Sequence, residues 1–158
     1  MFNCIMDWKK ETRETVLYIF IGLVLAYAIN TGLGYALGSQ KPVMAVVSSS
    51  MEPTFSKGDL IVTKGVPPES LEVGDIIVYE NHIRGIDVVH RVIAIEEGGP
   101  HLYFYTKGDN NLTNPQSDQE SGSMPPVVDE WVRGKVVLVI PKLGWFKVIL
   151  TEILGALS

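Results

Sequence analysis

The chain has 158 residues, a length suited to one domain, and its net charge of -5 with a pI near 5.1 excludes a nucleic-acid surface, which needs clustered Lys and Arg against phosphate. Its one cysteine, Cys4, rules out an intrachain disulfide and leaves the compartment open. A mean hydropathy of +0.20 is high for a water-soluble protein, and the excess has a local source.

That source is the stretch 15–37, TVLYIFIGLVLAYAINTGLGYAL, which carries no charge. About 20 apolar residues in helical rise cross a bilayer core, so the stretch is long enough to span. Asn30, Thr31 and the glycines lower its hydropathy toward the far end, and Tyr27 and Tyr35 suit an interface. No small-residue cleavage site follows cleanly and the run exceeds a usual signal-peptide h-region, so a retained span is expected rather than a removed one. Lys9, Lys10 and Arg13 precede it while Lys41 alone follows closely, which sets the N-terminus inside and the remainder outside. The expected partition is 1–14 cytoplasmic, 15–38 transmembrane, 39–144 an extracytoplasmic β-domain and 145–158 an amphipathic C-terminal helix.

Past Gly38 the pattern changes to short β-branched runs at 43–47, 59–64, 75–80, 86–96, 101–107 and 134–140, separated by Gly-Asp, Pro-Pro and Gly-Gly-Pro. Such runs read as strands of an all-β domain. Residues 108–130 are polar and too long for a simple turn, which marks a functional or disordered loop. In the tail WFKVILTEILGALS, residues Phe146, Ile149, Leu150, Ile153, Leu154 and Leu157 recur at helical spacing. Too short to span, this helix lies on the membrane or packs on the domain.

The stretch VVSSSMEPTF, 46–55, raises the chemical question. A serine-rich connector gives the same string. A nucleophilic serine there would need a base within hydrogen-bond reach and donors for an oxyanion. Pro53 turns the chain and presents the triplet at a strand end. In VVHRVIAI, side-chain alternation puts Val88, His90, Val92 and Ala94 on one face. An imidazole so placed is usually a satisfied core group, and it is also how a rigid strand offers a base. His82 and His101 sit beside turn residues and read as solvated, and the three histidines fit no zinc spacing. Asn111-Leu112-Thr113 is a glycosylation sequon.

Taken in order, SSSMEPTF, KGDLIV, GDIIVY, VVHRVI and TKGDNN resemble a type I signal peptidase. They are similar to its archaeal and endoplasmic-reticulum branch, where a histidine stands where bacterial enzymes carry a lysine. The likeness covers 43–111 and resumes at GKVVLVIPKLG, 134–144. It implies a mainly β, signal-peptidase-like domain with an N-terminal transmembrane helix and a short C-terminal helix. It also implies that Ser50 is the nucleophile and His90 the general base, with Ser48 and the Ser50 N–H holding the oxyanion. Asp109 matches one acidic position of the family. A second, expected six residues on, is Pro115 here, and Asp118 is reached through a three-residue insertion; Asp118 is preferred as the acid that orients His90. The string SGSMPP, 121–126, imitates the nucleophile motif in the wrong context, so Ser123 reads as loop.

The activity so implied is membrane-anchored serine endopeptidase cleavage of signal peptides from exported preproteins, after small residues, with no cofactor. Its partners would be those signal peptides, membrane lipid and the protein translocation channel, at the cell membrane, with the catalytic domain extracytoplasmic. A substrate would add as an extended strand near VMAVV. A histidine base must be neutral, so acylation is expected to fall below about pH 6.5. Two alternatives remain at this level: a non-catalytic membrane-tethered β-domain acting as a binding or scaffolding subunit, and a self-cleaving repressor-type protease, which uses lysine and usually carries a DNA-binding module.

Overall fold

A computed structural model describes residues 2–122, 124–145, 149 and 153. It contains two compact units, Met1–Ala36 and Leu37–Ser158.

The first unit is almost entirely helix α1, Phe2–Leu37. Its segment Lys10–Leu37 is long and apolar enough to cross a membrane. At 1.5 Å per residue, α1 reaches about 54 Å, well beyond a hydrocarbon core of about 30 Å. Val16, Phe20, Leu23, Tyr27 and Tyr35 are exposed on all sides of it. Over 15–37 no charge interrupts its surface, the composition that a lipid-spanning helix needs. Gly38, with φ 61°, ends it in the left-handed conformation that a Cβ disfavours.

The second unit is one antiparallel sheet built from β1 (Val43–Ala45), β2 (Leu60–Lys64), β3 (Ile76–Asn81), β4 (Ile86–Gly98), β5 (His101–Lys107), β6 (Val127–Val128) and β7 (Val132–Ile140), in the order β1-β2-β7-β3-β4-β5-β6. Short 3-10 turns occupy Pro68–Ser70 and Asp129–Trp131. Within β3, residues 76–79 are apolar in succession because residues on both faces of the strand are buried. Ile77 and Tyr79 join Leu71, Val92, Phe104, Met124 and Val127 on one side. Val78 joins Val46, Met51, Phe55 and Ile61 on the other. Each such side chain removed from water contributes about 1.5–3 kcal/mol, so Met51 and Phe55 anchor the segment between them.

Every apolar run read as a strand contains one, with three differences in detail. The first strand stops at Ala45, two residues short of the run's end. The long segment 108–130 is folded, and its Val127–Val128 pairs with Tyr103 and Phe104 as β6. The β4–β5 register shifts between Val92 and Ala94. This bulge at Ile93 breaks the alternation, so Ala94 does not share the His90 face as expected. Of the expected helix 145–158, Trp145, Ile149 and Ile153 are helical and exposed, and its other residues lie outside the described ones.

Candidate active site

The serine triplet sits in a turn pinned at several points. Val46 N–H donates to Asp59 O and Gly58 N–H to Val46 O, each at 2.9 Å. The buried Asp59 carboxylate accepts Ser56 N–H at 2.8 Å and Lys142 N–H at 2.9 Å. Met51 and Phe55, 1% and 3% exposed, plug the turn into the core. Within it the Glu52–Pro53 peptide is cis. Asn110 grips the triplet from the far side: its Nδ2 donates to Ser49 O and its N–H to Ser50 O, both at 2.9 Å. Ser48 Oγ and Ser50 Oγ are 3.2 Å apart, with Ser48 exposed and Ser50 half-buried.

His90 reaches its place from β4, opposite Ile77 of β3. Its Nδ1 lies 2.6 Å from Asp118 Oδ2. The same oxygen accepts the Tyr79 hydroxyl at 2.9 Å and the Thr106 hydroxyl at 2.6 Å. Burial pushes the Asp118 carboxyl up, but the His90 bond and charge with the two hydroxyls outweigh it and hold the group below the usual carboxylate range. An ionised carboxylate only accepts, so the proton between them belongs to Nδ1, and in the neutral ring the lone pair is on Nε2. Burial first, and then the Asp118 charge, push the Tyr79 phenol far above its ordinary value, which keeps it a donor.

Asp118 arrives from the long segment by a local device. Ser117 Oγ accepts Glu120 N–H at 3.1 Å, and Glu120 Oε2 accepts Ser117 N–H at 3.2 Å. This is the reciprocal pattern of a capping box, written in sequence as Ser-x-x-Glu. The turn is then tied to β5: Asp118 N–H donates to Thr106 O at 2.9 Å, and Thr106 N–H to Gln119 Oε1 at 3.0 Å.

Asp109 has other partners. Arg91, next to His90 but on the opposite face, gives it Nε–H at 2.8 Å and Nη2–H at 2.5 Å. Thr54 of the serine turn also donates to Asp109, and Arg91 Nη1 reaches Gly74 O at 2.7 Å. The Arg91 bond is the main cause that holds the Asp109 carboxyl below its ordinary range. Among the described residues Asp109 makes no hydrogen bond to the ring; it ties β4 to the serine turn.

Ser50 and His90 make no hydrogen bond to each other among the described residues. Gly108, which follows Lys107, the Cα partner of Arg91, packs on the Ser50 carbonyl and so joins the end of β5 to the serine turn. Elsewhere, His82 is exposed, and His101, with 38% of its side chain exposed, lies with Nδ1 3.1 Å from Asp129, so both remain in contact with solvent. The expected loop serine, Ser123, lies outside the described residues. Asn111 is exposed and accepts Lys107 Nζ at 2.9 Å.

A serine triplet pinned in a turn and an imidazole that a buried carboxylate orients are the materials from which Ser–His hydrolases are made. Comparison with known proteins narrows the class. The family model described as "Signal peptidase, peptidase S26" matches residues 12–98, which include the triplet and His90 and stop short of Asp109 and Asp118. The signal peptidase complex catalytic subunit of Pyrenophora teres f. teres is 36% identical over 144 residues, covering 90% of this chain and 83% of its own length. The same-named subunit of Scheffersomyces stipitis is 33% identical over 149 residues, with 93% and 87% covered. A human catalytic subunit is 30% identical over 156 residues, with 92% and 78% covered. The chain belongs to the signal peptidase family, and so to the peptidases. The branch expected from its histidine motif is the one these relatives represent.

Proposed function

We propose that this protein is a membrane-anchored serine endopeptidase that removes signal peptides from exported preproteins, with Ser50 as nucleophile and His90 as general base. The observation that carries the reading is the 2.6 Å approach of His90 Nδ1 to Asp118, which leaves Nε2 as the ring's basic nitrogen. Ser50 Oγ forms a bond to the scissile carbonyl carbon as its proton passes to Nε2. The Ser50 N–H and the Ser48 hydroxyl, whose oxygen lies 3.2 Å from Ser50 Oγ, stabilise the oxyanion. The carbon–nitrogen bond then breaks, and His90 gives its proton to the leaving amine. Water, activated by the same nitrogen, hydrolyses the acyl-enzyme.

The apolar part of α1 supplies the anchor in the cell membrane, with the N-terminus cytoplasmic and the β-domain outside. An exported chain there still has its own apolar segment in lipid, which brings its cleavage site to the domain. The relatives' shared name contains the word complex, so further subunits and the translocation channel are the partners to seek.

The test is cleavage of a preprotein by the detergent-solubilised full chain. Cleavage should disappear in both Ser50→Ala and His90→Ala, and full activity in either variant overturns the assignment.

A further inference from the structure

The Asp118 oxygen that receives the His90 Nδ1–H also receives two hydroxyls from different strands. Tyr79 comes from β3 and Thr106 from β5. Tyr79 is 1% exposed and Thr106 0% exposed. Thr106 has one proton, and its 2.6 Å contact to the carboxylate is shorter than its 3.2 Å contact to the Tyr79 hydroxyl. The Tyr79 hydroxyl is 2.9 Å from the same carboxylate oxygen. Both hydroxyl protons therefore point at Asp118, and a single buried oxygen carries three donors.

We propose that Tyr79 and Thr106 are positioning residues of the peptidase: their hydroxyls fix the direction of the Asp118 carboxylate and share its charge, so that the His90 imidazole is held in one tautomer and the carboxylate pulls less strongly on a second ring proton. The proposal rests on the Ser–His reading above. Without the two hydroxyls, the buried carboxylate would have the imidazole as its one strong donor. It would then favour the imidazolium, which is useless as a base, and would be free to rotate about its own bond. Among the described residues, the charged or titratable groups around the ring are Asp118, bonded to it, Tyr79 of β3, bonded to the same Asp118 oxygen, and Asp109, whose carboxylate feels the ring's charge but is paired with Arg91 on the other face of the strand. Of these, the two hydroxyl variants alter only the donors on Asp118.

Two measurements on the full chain in detergent test this. In the first, the pH dependence of kcat/KM is recorded for Tyr79→Phe, Thr106→Val and Thr106→Ser. The acidic limb should move to higher pH by about half a unit or more in the first two, with kcat reduced about tenfold or more and KM little changed. Thr106→Ser, which keeps the donor, should restore the parent profile. In the second, the His90 ring is titrated by NMR in a Ser50→Ala background, which the Ser–His reading expects to be inactive. Its midpoint should rise in Tyr79→Phe and Thr106→Val and stay in Thr106→Ser. If both readouts stay fixed, or activity falls uniformly with no move of the limb, the hydroxyls have only a packing role and the proposal is overturned. A midpoint that moves while Ser50→Ala still cleaves overturns the Ser–His reading instead, since the hydroxyls then govern a ring that is not the base. Thr106→Val, close to isosteric, serves if Tyr79→Phe does not fold.

Discussion

A Cβ built on Gly108 would stand 2.6 Å from the carbonyl oxygen of Ser50. No real side chain tolerates that distance, and the atom it meets is backbone, so Gly108→Ala must displace the serine turn. A shift near 1 Å at a reacting group is enough to cost about a hundredfold in rate. Steady-state cleavage should therefore show kcat reduced about 10- to 100-fold with the sheet still folded. An unchanged kcat would mean that the spacing of the turn from Gly108 is immaterial.

The two acids should separate cleanly. Asp118→Asn keeps the shape but offers the His90 ring an amide, so kcat should fall by roughly 10⁴. Asp109→Asn should act on rate less and on folding more, because its partners are Arg91 and Thr54 rather than the ring. Parallel kinetics and unfolding curves for the pair decide it; equal loss of kcat in both would show that the acids share one role.

Arg91→Lys keeps the charge and loses the paired Nε–H and Nη2–H donors to Asp109 as well as the reach to Gly74. Charge-assisted hydrogen bonds of this kind contribute about 1.5–3 kcal/mol. Denaturant unfolding should register a loss of about 1–2 kcal/mol after partial compensation by the ammonium. A stability equal to the parent would show the clamp to be ornamental.

Acid should undo both carboxylates. Asp109 and Asp118 are held below their ordinary value of 3.8 in the folded chain. Below that value the unfolded chain binds more protons, so stability rises with pH there. Their contribution is complete above the unfolded pKa and disappears as pH falls through the folded values. Unfolding midpoints should thus be insensitive to these groups above about pH 5 and drop below about pH 4. The Asp109→Asn, Asp118→Asn double variant should flatten that drop, and an unaltered acid slope would refute the linkage.

The β-domain was legible because its runs are β-branched and punctuated by Gly and Pro, so local preference and burial point the same way. The bulge at Ile93 was not, since it depends on how β4 meets β5 rather than on either strand alone. Two-residue β6 offered no periodicity to read. At the site, the triplet and His90 stood out by motif, while Arg91, Tyr79 and Thr106 did not. A hydroxyl among strand residues looks like ordinary β propensity until its partner is brought across the sheet. Ser117-x-x-Glu120 was a readable signal: a capping box inside an otherwise featureless loop marks a turn held in place, and Asp118 lies within it.

Adjacent residues of β4 send His90 to Asp118 and Arg91 to Asp109, on opposite sides of one strand. A slip of one residue in that strand's pairing would exchange the two, placing a guanidinium in the buried polar nest and an imidazole at the clamp. Folded integrity and chemical competence are therefore checked by the same hydrogen-bond ladder. A misthreaded copy forfeits both ion pairs at once, and with them the stability that each contributes.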